Sequence, residues 1–207
     1  MLLHRAVPQP ARPDSVHGQR RPLPRPYRAL HPLLTIVQPP QRTNDIVNSL
    51  LAHQRESPYG VLPVWAFHGL ETWCMIGYHA VPVIADAYMK GIRGYDTDAA
   101  LKAMVASANY GPYDGIAQYR ELGYVPIDEE GEAASKTLEY AFDDWTIARM
   151  AKEMGRSEVA ATFAKRAGNW RNAFDPDPRT ATSPATTSPI CMPTPGSRHR
   201  LGRGRGG

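Results

Sequence analysis

A chain of 207 residues, 42% of them hydrophobic, is long enough to bury one sizeable core. Its formal charge of +4 suggests an acidic partner, but residues 1–26 hold five Arg against one Asp and residues 178–207 hold five Arg and no acid, which leaves the middle at −5. The basicity belongs to the ends, and nucleic-acid binding by the core has no support.

The ends also differ from the middle in kind. Residues 1–26 and 176–207 hold six prolines each, twelve of the twenty. Thr180 to Gly207 mixes Thr, Ser, Pro, Arg and Gly with almost no large apolar residue. Such composition cannot offset chain entropy, so both flanks are predicted to be disordered. The N-terminus has no apolar run of signal-peptide length, and no stretch approaches a membrane span, so no membrane partner is expected and no compartment is indicated. Cys74 and Cys191 alone make neither a disulfide framework nor a zinc spacing, and Cys74 is expected to be a small buried hydrophobe.

In chain order, Leu30, Leu33, Leu34 and Val37 predict a short helix within 27–37, and Pro39-Pro40 ends it. Asn44 is placed to cap a second helix running to Gln54, with Ile46, Val47, Leu50 and Leu51 on one face. Ser57-Pro58-Tyr59-Gly60 is turn chemistry. An irregular stretch follows, and then Val81, Ile84, Ala85, Tyr88 and Ile92 form one apolar helical stripe, with Pro82 tolerated in the first turn. Thr97–Ala108 predicts a helix with Leu101, Met104, Val105 and Ala108 inward, and Tyr113–Leu122 a shorter one closed by Gly123. After an acidic loop over 124–132 comes the longest helix, about Ala134 to Met154, with Leu138, Ala141, Phe142, Trp145 and Ala148 as its packed face. Ser157 is expected to cap the last helix, whose inward residues are Val159, Phe163, Ala167 and Trp170. No run alternates with period two, so the chain reads as all-α, a bundle, a helical repeat or part of an α/α toroid; no fixed internal repeat favours a solenoid.

Chemistry concentrates between Trp65 and His79, where two Trp, a Phe, a Tyr, two His and one Glu lie in fifteen residues. A loop rich in rings and polar tips suits a small polar ligand with apolar faces, such as a sugar. Glu71 beside Trp73, with His79 eight residues on, is the leading candidate: the acid accepts hydrogen bonds from sugar hydroxyls while the indole covers a ring face. The alternative is a loop anion beside core tryptophans. Asp143 and Asp144, successive on a helix, diverge by about 100° and cannot flank one bond. Both default to solvated helix acids, and Asp144 gains a binding role only if its helix faces a barrel axis. Asp86 and Lys90 are spaced for an ordinary i, i+4 ion pair. The scattered His31, His53 and His68 make no metal site, and Asp128-Glu129-Glu130 lacks the spacing of a calcium loop, so it reads as a solvated charge run.

The run Glu71-Thr72-Trp73-Cys74-Met75-Ile76-Gly77-Tyr78-His79-Ala80-Val81-Pro82-Val83-Ile84-Ala85-Asp86-Ala87-Tyr88 resembles a signature of glycoside hydrolase family 92, the α-mannosidases. The likeness continues upstream in Arg28-Ala29-Leu30-His31-Pro32-Leu33 and Asn44 to Leu51, and downstream in Gly131 to Trp145, and it covers about residues 27–176. The resemblance implies an all-α fold that is part of an (α/α)6 barrel, and a parent activity that removes terminal α-linked mannose from glycans, α-1,2-mannosidase-like, inverting and calcium-dependent. It makes a mannose-containing glycan the expected partner and favours a substrate-binding role for Glu71, Trp73, His79 and Asp144. The family's acid segment Thr-Glu-Gly-Asn, its base segment Asn-Asp-Asp-Cys-Gly and its calcium-associated Asn-Glu-Pro-Ser-His run have no counterpart here, so no catalytic or metal-binding residue carries over. No cofactor is expected in this chain itself. The expectation is an inactive fragment; the alternative is a non-catalytic mannose-binding or helical interaction module. Where the likeness stops, the flanks 1–26 and 177–207 read as disordered or as out-of-frame translation of GC-rich DNA, which translation of neighbouring frames would test. Apolar helix faces left without partners would lower solubility. Intact relatives are mostly periplasmic or secreted.

Overall fold

The computed structural model describes residues 27–174 and 195; the flanks expected to be disordered or out of frame otherwise lie outside the described residues. Seven α-helices are found among the described residues: α1 Leu30–Val37, α2 Pro40–Glu56, α3 Ala80–Met89, α4 Thr97–Ala108, α5 Ile116–Leu122, α6 Ala133–Glu153 and α7 Ser157–Ala167, followed by a 3-10 turn over Gly168–Ala173. A two-residue antiparallel hairpin joins β1, Ala66–Phe67, to β2, Leu70–Glu71, in the register Ala66 to Glu71 and Phe67 to Leu70. Its turn residues His68 and Gly69 both have positive φ, as a two-residue hairpin turn requires. The architecture is all-α, part of an (α/α)6 barrel, with the hairpin as a local clasp in the long loop before α3.

Helix α6 is the central element and packs against α3, α4, α7 and the 3-10 turn. The expected stripe on α3 is buried throughout, but Ala80, Val83 and Ala87 are buried as well, so this helix is covered on nearly every side. On α4 the inward residues Leu101, Met104 and Ala108 are buried as expected, and Asp96 caps the helix by accepting the Ala99 N–H at 2.9 Å.

Several local expectations are corrected. Helix α2 begins at Pro40 with Pro39 before it, so Asn44 lies inside the helix; its Oδ1 instead accepts the Gly94 N–H at 2.9 Å, tying α2 to the turn after α3. Ser157 is the first residue of α7 and no side chain caps that helix. Trp170 is exposed rather than inward, and Cys74 is exposed rather than buried. The acidic run is not simply solvated: Lys136, buried at the start of α6, holds Glu130 at 3.0 Å and Asp114 at 3.4 Å.

The largest correction concerns α6. Of its expected packed face, Ala141 and Ala148 are buried, but Phe142 and Trp145 are 39% and 50% exposed, while Asp143 and Asp144 are fully buried. The helix is turned so that its acids face inward and its largest rings line an open groove with Tyr27, Pro82, Ala85 and Met89. Apolar periodicity finds the face of a helix that meets apolar neighbours, and here the buried side carries Tyr140, Ile147, Met150 and Ala151 together with two acids that meet polar partners. Trp145→Ser is therefore expected to change the unfolding free energy by less than about 1 kcal/mol and to raise solubility, where a core tryptophan would cost about 3–5 kcal/mol. Urea titration and light scattering of the full chain check both.

Candidate functional site

The loop from Val61 to His79 is held at two points, the first by one buried acid and the second by two. The first is Glu71. Its Oε2 accepts the N–H of Val64 at 2.6 Å and of Trp65 at 3.1 Å; its Oε1 accepts those of Trp65, Thr72 and Trp73 at 3.0, 2.9 and 3.1 Å. Four backbone donors thus converge on one acid, and the Thr72 hydroxyl returns a bond to the Trp65 carbonyl at 2.7 Å. Irregular backbone must find partners for its N–H groups when it folds inward, and a carboxylate is the one side chain with enough acceptor capacity for four. Glu71 is thus an anion held within its own loop, while Trp65 and Trp73, core residues in that alternative, are only partly buried.

Trp73 is held in the left-handed region, φ 56°. Its indole lies parallel to Tyr110 at 5.5 Å between ring centres, meets Tyr59 edge-on at 5.0 Å and Tyr113 at 5.0 Å. The rings continue inward from Tyr113 through Tyr140 to Tyr78, which stacks on Tyr140 at 5.3 Å. Tyr113 donates to the carbonyls of Met75 and Gly77, fixing the approach to α3.

The second anchor is the pair Asp143–Asp144 on α6. Asp143 accepts the Tyr78 N–H at 2.8 Å through Oδ2 and meets His79 Nδ1 at 3.0 Å through Oδ1. Asp144 accepts the Tyr78 hydroxyl at 2.8 Å, the Tyr119 hydroxyl at 3.0 Å and Arg166 Nε at 2.9 Å. Arg166 spends its remaining nitrogens on Asn109 Oδ1 and the Ala108 carbonyl, both at 2.9 Å, which fastens α7 to the end of α4. Successive residues on a helix diverge, as expected, but here both directions are interior: one acid holds the backbone and imidazole of Tyr78-His79, the other the phenol of the same Tyr78.

His79 is buried between charges. Nε2 lies 3.5 Å from Glu139, which also accepts from Tyr27 at 3.0 Å and from Arg28 at 2.9 Å, and the ring stacks on Tyr27 at 4.2 Å. Burial works against its charge, but the carboxylate and hydrogen bond of Asp143, helped by Glu139, outweigh it and raise the His79 pKa. Burial pushes the Asp144 carboxyl up to about 7, against the pull of Arg166 and the two phenols. Gly77, φ 79°, precedes this cluster, and a Cβ there would lie 2.3 Å from the His79 ring.

Of the four sequence candidates, Glu71 bonds directly to Trp73, whereas His79 and Asp144 are joined only through Tyr78 and Asp143, and the row of tyrosines links the two groups. The structure adds Tyr78, Tyr110, Tyr119, Asp143 and Arg166, which the sequence pattern does not select as site residues. For Asp143 the signal was its place beside Asp144 within the downstream run that carries the family resemblance; nothing in the spacing of Tyr119 or Arg166 marks them.

The profile described as the glycosyl hydrolase family 92 catalytic domain matches residues 26–199. The chain belongs to glycosyl hydrolase family 92. Among solved structures, a family 92 α-mannosidase of Bacteroides thetaiotaomicron in complex with mannoimidazole is 43% identical, with a TM-score of 0.76 over 84% of this chain and 22% of that one; a second structure of the same α-mannosidase gives the same values. A family 92 inverting mannosidase from the same species is 39% identical, with a TM-score of 0.66 over 73% of this chain and 21% of that one. The chain thus spans about a fifth of the length of these family 92 enzymes. A comparison with curated proteins finds no match. The family 92 profile runs past residue 176, the expected end of the likeness. Calcium, implied for the intact family, does not fit the side chains at hand: among the described residues no group of three or more His, Cys, Asp or Glu converges as a metal site would, and Glu71, Asp143 and Asp144 spend their oxygens on protein donors.

Gly77→Ala is expected to cost at least about 2 kcal/mol of stability, from the left-handed backbone and the contact with His79, read as a lowered urea midpoint. The pH dependence has a definite sign. An unfolded Asp144 ionises near its ordinary value of about 3.9 and the folded one near about 7, so the folded state keeps a proton the unfolded state has lost. This contribution is complete below pH ~4 and is lost as pH rises through about 7. His79, also raised, acts in the same direction. The urea midpoint should fall between pH 4.5 and 7.5, and Asp144→Asn should flatten that fall.

Proposed function

We propose that this chain presents the aromatic wall of a family 92 α-mannosidase barrel to a mannose-containing glycan, and that it binds a terminal α-linked mannose without cleaving it. The observation that carries this reading is 43% identity, over 84% of the chain, to an α-mannosidase solved with mannoimidazole. Trp73 on this loop, with Tyr59 before the loop and Tyr110 after α4, supplies ring faces of the kind a pyranose stacks on, and Asp143 and Asp144 brace the loop from behind through His79 and Tyr78. In the intact family the expected reaction is inverting and calcium-dependent, with an α-1,2 linkage preference.

Inversion needs an acid and a base roughly 6.5–9.5 Å apart with room for a water between them. Asp143 and Asp144 are enclosed and paired, and Glu71 is filled by backbone N–H groups. None stands open toward a second acid, which supports a non-catalytic role for these three. Calcium enters no step proposed for this chain. A second reading, a helical interaction module, is favoured by the groove of about 340 Å³ beside Phe142 and Trp145.

The full chain is expected to bind methyl α-mannoside in calorimetry and to release no mannose from α-1,2-mannobiose with calcium present. Turnover that survives purification and is lost on Glu71→Ala would overturn the non-catalytic reading. Absence of binding, together with capture of an apolar helical peptide in the Phe142–Trp145 groove, would favour the second.

A further inference from the structure

The sequence suggests Glu71 as an acceptor for sugar hydroxyls, yet its oxygens are already committed. Four N–H groups from both sides of the hairpin, those of Val64, Trp65, Thr72 and Trp73, point at one buried carboxylate. One of those donors belongs to Trp73 itself, whose backbone occupies the left-handed region that a bulky residue adopts only when its surroundings impose it. The indole leaves this backbone to lie parallel to Tyr110, with Tyr59 against its edge. Tyr113 also meets the indole, at 5.0 Å between ring centres, yet Thr72 faces solvent and Trp73 is only partly buried.

We infer that Glu71 is a positioning residue: its carboxylate fixes the strained backbone of Trp73 and thereby sets the indole as the platform on which the mannoside ring rests. This deepens the mannoside reading above and rests on it. The acid does not touch the sugar. Its function is to make a left-handed tryptophan the resting state of the loop, so that the platform exists before the ligand arrives and no ordering cost falls on binding. An amide cannot substitute. The Glu71→Gln change would set an NH2 against N–H donors where the carboxylate presents a second acceptor.

The test is a double-mutant cycle in the full chain between Glu71→Gln and Trp73→Gly, read by thermal midpoint and by calorimetry with methyl α-mannoside. Glycine accepts the left-handed backbone without strain. If Glu71 acts through Trp73, Glu71→Gln lowers the midpoint in the wild-type background and by measurably less beside Trp73→Gly, the remainder being the cost at the Val64, Trp65 and Thr72 N–H groups. Should Glu71→Gln alone fail to fold, Trp73→Gly is expected to restore folding. Each single substitution is expected to weaken methyl α-mannoside at least ten-fold. Equal midpoint losses in both backgrounds, a double variant that does not fold, or Glu71→Gln binding the sugar as tightly as wild type would overturn the inference while leaving the mannoside reading intact. A wild-type chain that folds and does not bind methyl α-mannoside overturns the mannoside reading, and the platform role with it.

Discussion

The structure depends on two adjacent carboxylates turned into the protein. Asp143 and Asp144 are fully buried on the central helix, and between them they take the N–H, the phenol and the following imidazole of Tyr78-His79. Charges removed from water are tolerated only when they are paired and hydrogen-bonded, and leaving one partner alone typically costs about 3–5 kcal/mol. That asymmetry is what makes the clamp specific: a loop shifted out of this register would take these donors away from acids that are fully buried. Arg166 and Tyr119 extend it to α7 and α5, and Glu139 with Arg28 and Tyr27 extends it to the start of the described chain.

Glu71 solves the same problem by other means. Asp143 and Asp144 reach out from a helix to hold a loop, whereas Glu71 is part of the loop and gathers the loop's own donors. Together the anchors fix both ends of the segment 71–79, and the row of rings from Trp73 to Tyr78 fills the space between. A segment of irregular backbone thereby has its N–H groups satisfied as those of a regular element are. Glu71 and Asp144, the two acids the sequence offers for sugar binding, are both spent on this structural task.

The same orientation of α6 explains its outward face. With the acids committed inward, Phe142 and Trp145 are turned to the groove beside α3, where Met89 is also exposed. Apolar rings at a helix surface are a standing cost in solubility. They are the consequence of a helix whose buried side holds Asp143 and Asp144 alongside Tyr140, Ile147 and Met150.

By itself the sequence determined most of the helices, the near-absence of strands and the family. Each rests on local information: the period of Leu30 to Val37, the stripe from Val81 to Ile92, the stops at Gly123 and Gly155, and the run from Glu71 to Tyr88. It also placed Asp86 beside Lys90, 2.7 Å apart in the structure, because four residues on a helix is a fixed distance. What only the tertiary structure decided is the direction in which α6 faces and the work done by its acids. A periodic pattern records which side chains are apolar, but whether a carboxylate is solvated or buried depends on donors supplied from elsewhere in the chain, here Tyr78, His79, Tyr119 and Arg166. Glu71 follows the same rule, since its partners are backbone N–H groups that carry no side-chain signature at all.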